Sequence, residues 1–385
     1  MAWVLLLISL LFIDIAASLP MGSLPLALSR EGSSAAVVSI VMGMAMFAAL
    51  FGSVPVGLLA DRIGRLPTMR YATGLLILSM IGLVFAHGPL VNGLVMAARS
   101  IAFVALFTAE FAYAGEIVSE ERRVSSIATL GIIGNLALAL GPAFAVWMWQ
   151  HQIGREQYAY AALPIFAGFL MLFTLPKRHD VRTPRRSRLI LMRSAWIPAL
   201  GFCLATQLQG GINGALAVLT FHNRGIVNGA LLFSAIATTV IVLRYPAGRF
   251  VDIYGARVVA IPTAIFQAIG CIIAAFAWTP YAVVAAGVCL GVAWSAVIPI
   301  AVALFYEKSS SRTRGVAMGA YNFAMNLGAA TGALIASIAA ALGPGYTLAM
   351  LVATIAPLSA LPFVVASPES HPRRLVEVRP AAQSS

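Results

Sequence analysis

Runs of about 17 to 25 apolar residues, long enough to span the hydrocarbon core of a bilayer as an α-helix, recur along the whole chain with only short polar breaks between them. Tyr281 to Phe305 and Tyr346 to Val365 are two such runs. Strands of a membrane barrel would be shorter and would alternate apolar with polar residues. The overall balance agrees: 61% of the 385 residues are hydrophobic, 10% are charged and mean hydropathy is +0.92, whereas a soluble domain carries about 25% charged residues. The chain reads as an all-α integral membrane protein.

The breaks divide it into about twelve spans, at roughly 3–28, 35–58, 71–86, 90–115, 124–149, 159–176, 196–220, 229–251, 258–276, 281–306, 316–342 and 346–366. Short connections leave no soluble domain. The first span has no basic residue ahead of it, holds Asp14 in its middle and continues apolar to Leu28, so it reads as a retained helix and not as a signal peptide. Lys and Arg are retained on the cytoplasmic side of a membrane. With the N-terminus cytoplasmic, all but five of the 25 basic residues fall on that side; Arg30, Arg155 and Arg224 lie opposite, and Arg99 and Arg244 lie within spans. Both termini are expected in the cytoplasm.

The net charge of +12 and isoelectric point near 10.3 do not point to nucleic acid, because the basic residues are scattered over many short loops as topology requires. The densest basic segment, Lys177 to Arg193, links two halves and reads as a topology determinant, with contact to anionic lipid headgroups as the alternative. Cys203, Cys271 and Cys289 fall inside predicted spans without paired spacing, which excludes a disulfide framework and suggests no metal site.

The most charged interruption near the N-terminus is GLLADRIGR, from Gly57 to Arg65. Sliding the chain along itself until Pro55 meets Pro246 aligns PVGLLADRIG with PAGRFVDIYG. The same displacement pairs Gly57 with Gly248, Asp61 with Asp252, Gly64 with Gly255, Glu116 with Glu307, Arg123 with Arg314, Asn135 with Asn326 and Gly141 with Gly332. Two six-helix halves follow, related by an axis along the membrane normal: residues 1–176 and 196–366, joined by a basic cytoplasmic linker at 177–195 and followed by a tail at 367–385. Asp61, at a helix end, is placed to accept from Arg side chains and from the N-terminus of an adjacent helix. Gly57 and Gly64 permit tight turning. The alternative is simple anchoring by positive charge.

GLLADRIGR resembles the loop signature between the second and third helices of the major facilitator superfamily, and Gly248, Asp252 and Gly255 resemble its weaker second copy. Arg99 in the fourth helix, YAGEIVSEERR from Tyr113 and the Gly141-Pro142 pair are similar family features. The resemblance implies a twelve-helix fold in two pseudo-symmetric halves and alternating access. It also implies that Asp61, Arg62 and Arg65 latch the cytoplasmic side. Ile253 and Ala256 replace Arg62 and Arg65 in the second copy, which is expected to latch more weakly.

A charge at mid-bilayer costs roughly 2.5 to 3.5 kcal/mol even on a lenient insertion scale, so Asp14, Arg99, Glu110 and Arg244 need a reason. At ~1.5 Å per residue, Asp14 and Arg99 both lie near the middle of a ~30 Å core, where they can pair. That pair is either functional or a buried lock between helices one and four. Glu110 is about 16 Å along the axis from Arg99 and cannot touch it. Arg244 is close to the depth of Glu110 and either pairs with it or snorkels to the interface.

The resemblance also implies that helices one, four, seven and ten line a central cavity. Asp14, Arg99, Glu110, Gln207, Gln209, Asn213, Trp294 and Ser295 would then lie along it, the amides of helix seven contacting substrate or bonding between helices. A carboxylate whose environment alternates can take up and release protons, and a cationic substrate can compete with the proton for it. GIIGNLALALGPAFAVW, from Gly131, resembles the proton-coupled efflux branch through Gly134, Gly141 and Pro142. Ala137 and Ala145 replace two glycines of that pattern, and Ala102 and Phe103 stand where the family often has Gln and Gly.

The expected protein is a transporter in a bacterial inner membrane, functional as a monomer, with protons and a small molecule as partners. The favoured reading is antiport of a drug, lipophilic cation or metabolite such as a metallophore; the alternative is proton-coupled import of a small organic anion held by Arg99. No phosphate-cradling motif, nucleophile constellation or cofactor signature is present, so no enzyme and no cofactor is expected.

Overall fold

The computed structural model describes residues 2–118, 123–176, 196–307, 314–343 and 345–365; within its helices the side chains at 54, 61, 116, 123–128, 306, 314–318 and 363 are not among those described. The linker at 177–195 and the tail at 367–385 therefore lie outside the described residues. Twelve helical units follow one another: α1 (Ala2–Arg30), α2 (Ala35–Ile63), α3 (Arg65–Phe85), α4 (Gly88–Ile117), α5 (Arg123–Gln150), α6 (Glu156–Met171), α7 (Ile197–Asn223), α8 (Leu231–Tyr254), α9 (Ala256–Ala275), α10 (Pro280–Glu307), α11 (Arg314–Ala341) and α12 (Gly345–Val365). No strand occurs among the described residues.

Eleven of these units are long and apolar enough to cross a membrane. The remaining one, α6, was expected to run to residue 176 but is helical for 16 residues. Beyond it Phe173 and Thr174 make tighter bonds to the third residue back, at 3.1 Å each, and Pro176 disfavours helix at the residue before it. Two spans expected to be continuous are broken. In α1 regular helix stops at Ser18 and resumes at Pro20, because proline has no N–H to give the carbonyl four residues back. In α7 the residues Asn213–Ala217 form a π-turn. The α2 helix is longer than expected, so Asp61 and Arg62 belong to its last turn and not to a loop.

The packing repeats. In the first half α1 lies on α5 and α6, α4 on α2 and α3, and α3 on α6. In the second α7 lies on α11 and α12, α10 on α8 and α9, and α9 on α12. A shift of six helices converts one set into the other, and it also exchanges the two seams between the halves, α2 with α11 and α5 with α8.

Repeat-related glycines show why. Gly64 and Gly255 both turn the chain in the left-handed region, at φ +96° and +84°, and each N–H closes the preceding helix on the carbonyl four residues back, at 3.1 and 3.0 Å. Gly141 and Gly332 seat α5 against α1 and α11 against α7: a Cβ there would lie 2.6 Å from the Ile15 carbonyl oxygen and 2.1 Å from that of Leu208. Between α11 and α7 the backbones pack without an intervening side chain, and between α5 and α1 the small side chain of Ser18 fills the gap, donating to the Ala137 carbonyl at 2.9 Å.

The helix ends near Gly64 and Gly255 form the basic end of the molecule. At the far end each half is tied by one guanidinium. Arg155, at the start of α6, binds Glu31 beyond α1 at 2.6 Å, the Leu83 carbonyl of α3 at 2.8 Å and Asn92 of α4 at 3.0 Å. Arg224, just past α7, binds the carbonyls of Ala275 and Ala277 around the end of α9 at 2.9 and 2.8 Å, and Thr347 of α12 at 2.9 Å. Four hydrogen bonds join the halves between described residues: Ser337 to Ala36, Ser234 to Ala139, Asn228 to Ala143 and Gln150 to Val227. All lie toward the far end, where the last part of α1 also packs on α7. Among the described residues α4 and α10 share no extensive contact, and the hydrogen bonds between the halves gather at the far end.

Gly332→Ala is expected to lower stability by about 1–3 kcal/mol, the range for overpacking a close contact, read as a lower melting temperature in detergent. Gly74→Ala, where a Cβ meets nothing within 4 Å, is expected to leave melting unchanged.

Candidate functional site

Among the described residues, α1 and α4 carry the three buried charged side chains of the first half. Asp14 is 3% exposed, Arg99 8% and Glu110 2%. The expected Asp14–Arg99 pair does not form. Side chains on a helix lean toward its N-terminus, and α1 and α4 run in opposite directions. Arg99 therefore leans to the far end, where Nη1 donates to the Ala17 carbonyl at 2.7 Å beside the break in α1, while Asp14 leans to the basic end. Glu110 leans back toward the far end and comes within electrostatic reach of Asp14. Its Oε2 is buried without a hydrogen-bond partner, as is Nε of Arg99.

Arg244 does not reach Glu110 either. Its guanidinium crosses the seam to lie over Gly131 of α5. Among the described residues neither carboxylate has a cationic partner.

In the second half the amides of α7 make a chain. Asn213 Nδ2 donates to Gln209 Oε1 at 2.7 Å, and Tyr346 of α12 donates to Asn213 Oδ1 at 2.6 Å. All three residues are buried. Asn213 opens the π-turn, which packs against α2 of the other half. Gln207 is only partly buried and stands outside the chain. In α10, Ser295 is satisfied by its own helix through the Val292 carbonyl at 2.7 Å, and Trp294 is partly buried against the core.

The basic end carries the charged stretch. Arg62 is exposed and Arg65 partly buried, and Arg70 ties α3 to the end of α6 through the Leu172 carbonyl at 3.0 Å and the face of Phe173 at 4.4 Å. The side chain of Asp61 lies outside the described residues. A Cβ at Gly57 or Gly248 would meet nothing within 4 Å. In the second copy Asp252 is exposed, and Arg257, one residue beyond the replaced position, pairs with Glu307 of α10 at 3.1 Å.

The model of the Major Facilitator Superfamily matches residues 6–226 and 199–383, both halves in turn. The chain belongs to that superfamily. Its fold is that of solved superfamily members: the nucleoside transporter NupG superposes with a TM-score of 0.79 at 13% identity, covering 95% of this chain and 100% of that one. The peptide transporter POT, in complex with alafosfalin, superposes with a TM-score of 0.76 at 12% identity, covering 94% and 93%. Among curated relatives, "Uncharacterized MFS-type transporter YcaD" of Escherichia fergusonii is 28% identical over 151 residues, 39% of each chain, and that of Salmonella newport is 27% identical over the same share. The alignment thus spans 39% of the length of those relatives.

Two features of this superfamily member escaped sequence reasoning. Tyr346 sits near the start of α12, and nothing in its neighbourhood marks it as the partner of Asn213. Arg257 is one position out of register with the repeat. The direction of lean that parts Asp14 from Arg99 was legible from helix polarity once the topology was assigned.

Asn213→Ala strands two buried polar groups, Gln209 and Tyr346, whereas Tyr346→Phe removes one bond of about 0.6 to 2 kcal/mol. The melting temperatures are expected in the order Asn213→Ala below Tyr346→Phe below wild type.

Proposed function

We propose that this superfamily transporter extrudes a small molecule by proton antiport, with Asp14 and Glu110 as the groups that exchange protons for substrate. The observation that supports this is the approach of two buried carboxylates with no cation beside them. Isolated buried charge is costly enough that the site is neutralised by a proton or a positively charged ligand. Either occupant excludes the other, and exchange between them couples the two fluxes.

In the expected orientation, with both termini in the cytoplasm of a bacterial cell, the far end is periplasmic. Hydrogen bonds gathered at that end support an inward-facing reading, in which a cytoplasmic substrate enters between the halves. Gly57, Asp61, Arg62, Gly64 and Arg65, with Gly248, Asp252 and Gly255, are proposed as the latch that holds the basic end shut in the opposite state. Arg257–Glu307 gives the second copy a tie of its own within its half. The substrate classes are a drug, a lipophilic cation or a metabolite. Gln207, Gln209 and Asn213 are proposed to line the route with Trp294. A second reading, import of a small organic anion, draws on the unpartnered Nε of Arg99.

Inside-out vesicles under an imposed pH gradient separate the two. Tetraphenylphosphonium is expected to evoke proton movement in wild type and to lose it, to below about a tenth, in Asp14→Asn or Glu110→Gln. Silence to cations, with uptake of small organic acids in right-side-out vesicles that Arg99→Ala abolishes, contradicts efflux and establishes import.

A further inference from the structure

The stripe of α4 that carries Arg99 and Glu110 also carries Phe103, Phe107 and Phe111, four residues apart, so that each ring lies against the next along the helix. Ring centroids are 6.5 Å apart for Phe103 and Phe107, nearly parallel at 23°, and 4.7 Å apart for Phe107 and Phe111. The direction they face follows from the neighbours of α4. Gly93 abuts Met44 of α2 on one flank, and Val95 abuts Gly82 of α3 on the other. Leu94 and Val91, 57% and 47% exposed, face outward between those flanks, and Ile101 lies against Gly52 of α2. At about 100° per residue, Phe107 lies some 140–160° around the helix from Leu94 and Val91, on the inward side with Glu110.

Phe103 and Phe111 are packed against the core, yet Phe107 is 46% exposed. An aromatic ring half uncovered on the inner face of a helix borders the space between the halves and not lipid. One turn further along stands the unpartnered oxygen of Glu110. The local chemistry is thus a supported aromatic face followed by negative charge. A leucine or methionine ladder would provide the same burial without the ring quadrupole, which attracts cations by about 0.5–2 kcal/mol and favours stacking of flat rings.

We propose that Phe107, held by Phe103 and Phe111, is a specificity-determining contact that selects cationic substrates with an aromatic body over aliphatic cations of similar size. The ring takes the substrate's apolar part while Asp14 and Glu110 take its positive charge. This rests on the cation-efflux reading of the same site.

The test uses the full-length protein in nanodiscs and two permanent cations, tetraphenylphosphonium and tetrapentylammonium, with binding measured by calorimetry and proton movement measured in proteoliposomes. Wild type is expected to bind the aromatic cation about tenfold more tightly. Phe107→Leu, which keeps an apolar side chain, is expected to reduce that preference to about twofold or less, and Phe107→Tyr to retain it. Glu110→Gln is expected to weaken both cations and keep their ratio. Size-exclusion profiles matching wild type establish that the variants are folded, and Phe107→Tyr keeps the ring under test if Phe107→Leu fails that check. An unchanged preference in Phe107→Leu, a lost one in Phe107→Tyr, or none in wild type overturns the proposal while cation-evoked proton movement leaves the efflux reading standing. Absence of both binding and proton movement for either cation in wild type overturns both.

Discussion

Two carboxylates lean toward each other across an apolar helix pair, and the one guanidinium at their depth leans away. That arrangement follows from helix polarity: α1 and α4 are antiparallel, so their side chains tilt in opposite directions. Arg99 ends on the Ala17 carbonyl, where it steadies the broken turn of α1 instead of neutralising an acid. In the proposed cycle the charge of Asp14 and Glu110 is thereby left for a mobile partner. A transport cycle needs such a deficit, because a site satisfied by its own protein has nothing to exchange.

The surroundings hold that pair in register. Pro20 interrupts α1, and Gly141 lets α5 approach its backbone as Gly332 lets α11 approach α7. Arg155 and Arg224 draw together the far-end termini of three or more helices in each half, using donors from non-equivalent helices to reach equivalent acceptors near the ends of α3 and α9. Each half is therefore tied within itself. The seams between them rest on α2 with α11 and α5 with α8, and their hydrogen bonds between described residues gather at the far end. Rocking of two preassembled halves about those seams is the motion this division favours, as in other transporters built from repeats.

Much of this was legible in the sequence. The apolar run lengths, the basic asymmetry and the self-alignment of Pro55 with Pro246 led to the two-half fold that the superfamily match and the solved relatives bear out. Gly64 was marked as a turning point, and its repeat mate Gly255 shares its backbone geometry, whereas Gly57, marked with it, lies inside α2. The ion pairs were not legible from depth alone: Asp14 and Arg99 lie near one level yet lean apart, and Arg244 crosses to Gly131. Helix continuity was overread as well, since hydropathy does not register the break at Pro20, the π-turn at Asn213 or the early end of α6. Phe103 was noticed only as a departure from the family's glycine; its place at the head of a ring ladder was written in the four-residue spacing to Phe107 and Phe111.

In the proposed exchange Asp14 and Glu110 together hold a proton that a cation displaces. Infrared difference spectroscopy of the reconstituted protein reads this directly, through the carbonyl stretch of a protonated carboxylic acid. Such a band is expected without substrate, diminished in both Asp14→Asn and Glu110→Gln and lost when tetraphenylphosphonium binds. A spectrum in which neither substitution alters a protonated-acid band, or in which the cation binds without bleaching one, contradicts it.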